Sequence, residues 1–221
     1  GSLPADYFVP KNFVYGPADT AYEGVDFRNV NEENANGYNS YNPEEAAKLW
    51  AAAREATGVT QALELEIIIF EGDSAAQVGA AIKNDLEANL GDENLTIKLS
   101  VLPFAEKLAR STSGDYHMVW SGWSPDYADP MTFLDLFVTG GGNNDSGYSN
   151  PEYDALIAAA KVETDPDKRK EQLREAEDIL MDDMPILPIY YYTTVMGWNE
   201  NVKGIQVSVL GTVYLQGAYK K

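Results

Sequence analysis

Cysteine is absent from this chain and histidine occurs once, at His117. The first absence excludes disulfides, thiolate zinc sites and thiol nucleophiles together. The second means that a Ser-His-Asp triad or a histidine metal site would have to use His117. That residue lies inside a predicted strand, where a packed structural imidazole is the expectation. Long apolar runs are missing too. The longest is Ile67-Ile68-Ile69-Phe70, far short of the ~18 residues that span a bilayer. Basic residues are scarce: 16 Lys and Arg stand against 35 Asp and Glu, a net charge of −19. Such a field repels phosphates and anionic lipid, so no nucleic-acid partner is expected. It is compatible with a cationic or zwitterionic ligand, but a solubilising acidic surface is the plainer reading.

Phosphate and metal motifs are lacking as well. No glycine loop runs into Lys-Ser or Lys-Thr, so there is no Walker A cradle, and Gly140-Gly141-Gly142 reads as a flexible loop. Asn143-Asn144-Asp145-Ser146-Gly147 offers oxygen ligands without EF-hand spacing, which gives calcium little support. No catalytic residue, metal or cofactor is expected.

What is present is an ordinary globular balance. With 44% hydrophobic and 23% charged residues in 221 positions, the chain is long enough for one large domain or two small ones. The opening Gly1-Ser2 is typical of tag removal, so an excised piece of a longer protein is expected. Residues 3–41 show no sustained period and are expected to wrap an α/β lobe over 42–198, with a return segment over 199–221. Asn42-Pro43-Glu44-Glu45 predicts a helix start, with Gly58 as its C-cap. Leu63, Leu65, Ile67 and Ile69 predict a strand. A helix from about Ser74 carries Val78, Ile82, Leu86 and Leu90, and Leu95, Ile97, Leu99 and Val101 predict a second strand. That order is a βαβ crossover in a parallel sheet. Phe104 and Leu108 mark a short helix, and Tyr116 to Trp120 another buried strand. Asn150-Pro151-Glu152 and Asp165-Pro166-Asp167 open two further helices, the second stopping before Met184-Pro185. Ile186 to Tyr192 reads as a strand. Val202, Ile205, Val207 and Val209 lie in a β-rich tail.

The segment from Trp120 to Pro130 leaves the C-terminal end of a buried strand, where open α/β sheets form ligand crevices. Gly122 permits close backbone approach, Trp123 and Tyr127 offer apolar contact, and Asp126 offers one negative charge. Both aromatics have an alternative use, packing the loop onto the domain. Asp126 and Asp129 also form a possible glycosidase pair, but among so many carboxylates close pairs arise by chance. Asp129-Pro130 reads better as a helix start.

Trp123-Ser124-Pro125-Asp126-Tyr127-Ala128-Asp129-Pro130, continuing to Phe133-Leu134, resembles the signature region of the oligopeptide- and dipeptide-binding proteins of bacterial ABC transporters (solute-binding protein family 5). Tyr148 to Asp154, Ala176 to Leu180, Met184 to Tyr192 and Asn42 to Leu49 resemble further segments of that family, in order. The resemblance implies one lobe, the C-terminal one, of a type II periplasmic-binding-protein-like fold. Its α/β architecture has a mixed, mostly parallel sheet flanked by helices. It implies binding of extended peptides in an interlobe cleft, with Asp126 pairing the peptide α-ammonium. Trp123 would flank the peptide, and backbone around Gly122 and Ser124 would pair with its main chain. An aromatic of the late strand would face the ligand, Tyr191 being preferred over Tyr190 and Tyr192. Peptides and an ABC permease are the implied partners. The implied setting is extracytoplasmic, as a monomer and a membrane-anchored lipoprotein if the parent is Gram-positive. A hydrolase using an acidic pair and a peptide-sensing receptor of the same family are the alternatives.

Overall fold

The computed structural model describes residues 2–10, 13–15, 25–27, 41–208 and 210–221. In chain order the first elements are β1 (Leu3–Pro4), β2 (Val14–Tyr15), β3 (Val25–Asp26), α1 (Pro43–Thr57), β4 (Leu63–Phe70) and α2 (Asp73–Asn89). Then come β5 (Leu95–Leu102), α3 (Phe104–Ser113), β6 (Met118–Val119) and α4 (Met131–Leu134), with a 3-10 turn at Asp135–Phe137. The last are α5 (Pro151–Val162), α6 (Pro166–Asp183), β7 (Tyr190–Tyr191), β8 (Val202–Lys203), β9 (Gln206–Val207), β10 (Val213–Tyr214) and β11 (Tyr219–Lys220). They form two compact units, Ser40–Gly122 and Gly1–Asn39 with Trp123–Lys221, so the expected lobe over 42–198 is divided between both. Among the described residues no helix is long and apolar enough to cross a membrane.

The unit Ser40–Gly122 is the expected parallel sheet, in the order β5-β4-β6. β4 pairs with β5 in register from Leu63↔Leu95 to Phe70↔Leu102, and with β6 at Ile67↔Met118 and Ile68↔Val119. Ile67, Ile69, Leu95 and Ile97 are buried, and Trp50, Ile82, Leu86, Leu90 and Leu99 pack on them. The crossover helix α2 lies close on the sheet at Gly79, where a Cβ would stand 2.8 Å from Leu99 Cδ1. Helix α1 starts and stops as its sequence directs: the Asn42 side chain accepts from Glu45 N–H, and Gly58 closes it at φ 66°. His117 departs from expectation. It is exposed, not packed, and its Nδ1 accepts from Glu66 N–H at 3.1 Å. It thereby extends the short β6 pairing with a side chain. The neighbouring Glu66 carboxylate is held down to about 2, chiefly by the Arg110 guanidinium 2.6 Å away and then by Ser100.

The second unit is built around α5 and α6. Asn150 accepts from Glu152 and Tyr153 N–H, and Asp165 from Asp167 and Lys168 N–H, each with Pro at the first helical position. Both caps follow from the local sequence. Between the helices lie Phe133, Leu134, Phe137, Tyr153, Ile157, Leu173 and Leu180, all buried. The described parts of 3–41 do not merely wrap this unit: Val9 and Phe27 are fully buried in its core. Phe8 and Phe13 meet Phe133 edge-on, with centroids 5.6 and 5.3 Å apart. Glu177, inside the core, accepts from Val9 N–H at 2.6 Å. The rest of 3–41 lies outside the described residues. The strand expected over 186–192 is ordered into a ladder only at Tyr190–Tyr191, against Leu3–Pro4. Pro185 and Pro188 have no N–H to give a ladder. The tail pairs β8 with β11 and β9 with β10, while Val209 lies outside the described residues.

Candidate functional site

The loop after Gly122 is fixed from beneath by Thr132. That residue is only 4% exposed, and its hydroxyl accepts from Asp126 N–H at 3.1 Å and from Trp123 Nε1–H at 3.5 Å. Trp123 is half-buried against the core of its unit, so it serves the packing expected of it while keeping one part open. Asp129 caps locally, its Oδ1 accepting from Met131 N–H at 2.9 Å. The same carboxylate takes both arms of Arg169, at 2.8 and 2.9 Å, and Arg169 Nε donates to Ala160 O. Helix α4 begins at Met131 with Pro130 as its cap, one residue later than the Asp129 cap expected.

Asp129 is therefore committed, which removes one half of a glycosidase pair. Asp126 is the opposite case. Its carboxylate is exposed, and among the described residues it makes no hydrogen bond or ion pair. Ser124 and Tyr127 are exposed beside it, and Gly122, also exposed, ends the other unit.

Tyr191 is placed otherwise than expected. Its hydroxyl accepts from Asp6 and Tyr7 N–H at 3.3 and 3.2 Å and donates to Tyr7 O at 2.8 Å. Burial pushes it up to about 12. It clips the chain's first strand to the unit, so its polar end is not open to a ligand. The alternation leaves Tyr190 and Tyr192 together, rings edge-on at 5.0 Å, with Tyr192 exposed. The Asn143–Gly147 loop satisfies itself: Asn144 Nδ2 donates to Val138 O and Tyr148 O, and its Oδ1 accepts from Ser146. Among the described residues no cluster of three or more His, Asp or Glu is set to hold a metal.

Thr132 and Arg169 were not singled out by the sequence. Thr132 is one polar position in an otherwise apolar stretch, Met131 to Leu134, which is the signal that was there to read. Arg169 lies on an exposed-looking charged helix, and nothing local ties it to Asp129.

One unit carries a three-stranded parallel sheet, and the other carries the Trp123–Pro130 loop together with the helices α5 and α6. The family model for bacterial extracellular solute-binding proteins, family 5 (middle part), matches residues 1–145, and the chain belongs to that family. It is 35% identical over 195 residues to the oligopeptide-binding protein OppA of Bacillus subtilis (strain 168), covering 86% of this chain and 35% of that protein. It is 33% identical over 228 residues to the dipeptide-binding protein of Lactococcus lactis subsp. cremoris (strain MG1363), covering 100% of this chain and 39% of that one. The chain thus spans well under half the length of these relatives. Among solved structures, Listeria monocytogenes OppA bound to peptide superposes with a TM-score of 0.79 at 32% identity, over 100% of this chain and 40% of that one. The fold is the α/β, periplasmic-binding-protein-like fold of these peptide-binding proteins.

Proposed function

We propose that this chain is a lobe of the substrate-binding component of a peptide importer of the ABC type, working outside the cytoplasm as a monomer beside its permease. Asp126 pairs with the α-ammonium of an extended peptide. Backbone groups of Gly122 and Ser124 meet its main chain, and the open part of Trp123 lies along it. One observation carries the reading: on a loop pinned by Thr132 and Arg169, the Asp126 carboxylate stands exposed and, among the described residues, without a partner. The names of the relatives, oligopeptide- and dipeptide-binding proteins, support it. The hydrolase alternative loses its second carboxylate to Arg169.

The test titrates tetra-alanine and its N-acetyl form into wild-type and Asp126→Asn protein, followed by amide NMR shifts. Acetylation should weaken wild-type binding by up to about fivefold, because an exposed ion pair is worth ~0–1 kcal/mol. The variant should bind both forms alike. Equal losses in both proteins would put the amine elsewhere and return Asp126 to a loop-shaping role.

A further inference from the structure

Helix α3 is polar inside and apolar outside. Phe104 and Leu108 are 64% and 48% exposed, whereas Ser111 is buried and Lys107 is only 5% exposed. Burying an ammonium is costly unless it is bonded, and the same helix held apolar side chains for that face. Lys107 Nζ donates to Ser121 Oγ at 3.2 Å. Ser121 directly follows Trp120, whose N–H bonds Ile68 O, so it stands at the carboxyl end of the parallel sheet. Ligands approach open α/β sheets at that end.

A hydroxyl has one proton to give and two lone pairs to accept with. Ser121 accepts from Lys107, and among the described residues its own proton has no acceptor; its side chain belongs to an exposed residue. Bonding to a cation polarises that proton and strengthens it as a donor. The matching ligand group is an acceptor oxygen.

We infer that the Ser121 hydroxyl is a further ligand-binding group, donating to a carbonyl or carboxylate oxygen of the bound peptide, with Lys107 as its positioning residue. This deepens the peptide-binding reading above and rests on it. The experiment titrates tetra-alanine and its C-terminal amide into wild type, Ser121→Ala, Ser121→Thr, Lys107→Met and the double variant, following amide shifts. Ser121→Ala should weaken binding by roughly fivefold, the size of one hydrogen bond, and Ser121→Thr should restore it. Lys107→Met should weaken wild type but add nothing in the Ser121→Ala background, whereas a purely structural lysine would cost the same in both. A loss confined to the free acid assigns the carboxylate, and an equal loss with acid and amide assigns a main-chain carbonyl. Unchanged affinity of Ser121→Ala overturns the inference while leaving Asp126 untouched. If wild type responds to no peptide at all, the peptide reading fails first and this one with it.

Discussion

The hydroxyl of Tyr191 serves four backbone groups, accepting from the N–H of Asp6 and of Tyr7 and sharing its proton between the carbonyls of Tyr7 and, more distantly, Val9. Removing it takes these bonds from part-buried backbone groups, at a cost of about 1–3 kcal/mol. Tyr191→Phe should therefore lower stability by that amount in urea unfolding, although it deletes a single oxygen. The same bond has a pH signature. Burial raises the folded pKa from 10.0 to about 12, so the neutral form is the one that folding favours. That contribution is fully present below about pH 10 and is lost as pH rises through about 12. The gap between wild type and Tyr191→Phe should narrow over this alkaline window; a gap that stays constant would show that the hydroxyl is not the cause. Period 2 correctly separates Tyr191 from Tyr190 and Tyr192, but a strand alternation cannot say which side faces the body of the unit. That is decided by the backbone of residues 6–9, distant in sequence.

Among the elements, those whose signals are local were legible. Asn42, Asn150 and Asp165 cap their helices as read, because a cap is a bond within one turn. The βαβ unit was legible because its strands are apolar on a period of two and its helix on a longer one. The contribution of the N-terminal segment was not, since Val9 and Phe27 are single anchors without a period. The loop sequence singled out Asp126 and Trp123 as candidates, but what holds that loop was not legible. Its clamp is the Asp129–Arg169 pair, which joins the start of α4 to α6, with both side chains mostly buried, 24% and 21% exposed. Asp129→Asn should cost about 1–3 kcal/mol while leaving α6 helical. Amide exchange should then rise over residues 123–130 and not over 166–183. Uniform exchange across both segments would show that the pair holds the unit as a whole instead of the loop.

At the scale of the molecule the question is how much binding one lobe can deliver. The chain spans 35% and 39% of the lengths of its Bacillus and Lactococcus relatives, and Asp126, the anchor proposed above, is open to water. Water screens such a pair, leaving ~0–1 kcal/mol from the ion pair, and the proposed Ser121 bond would add about 1 kcal/mol. Against this stands the loss of translational and rotational freedom, an estimated 4 kcal/mol or more. Backbone pairing along Gly122 and Ser124 and the face of Trp123 must supply the remainder. Two or three such contacts do not reach the ~8 kcal/mol of micromolar affinity. Calorimetry on this chain should therefore give tetra-alanine a Kd weaker than micromolar. If a further lobe of the parent excludes water from Asp126, the same pair changes character: deleting one partner of a buried ion pair costs ~3–5 kcal/mol. The Asp126→Asn loss should then be small in this chain and large in the parent. Submicromolar binding by the chain alone would mean that the ligand is enclosed by groups other than the Asp126 loop, and the site would have to be sought elsewhere in the two units.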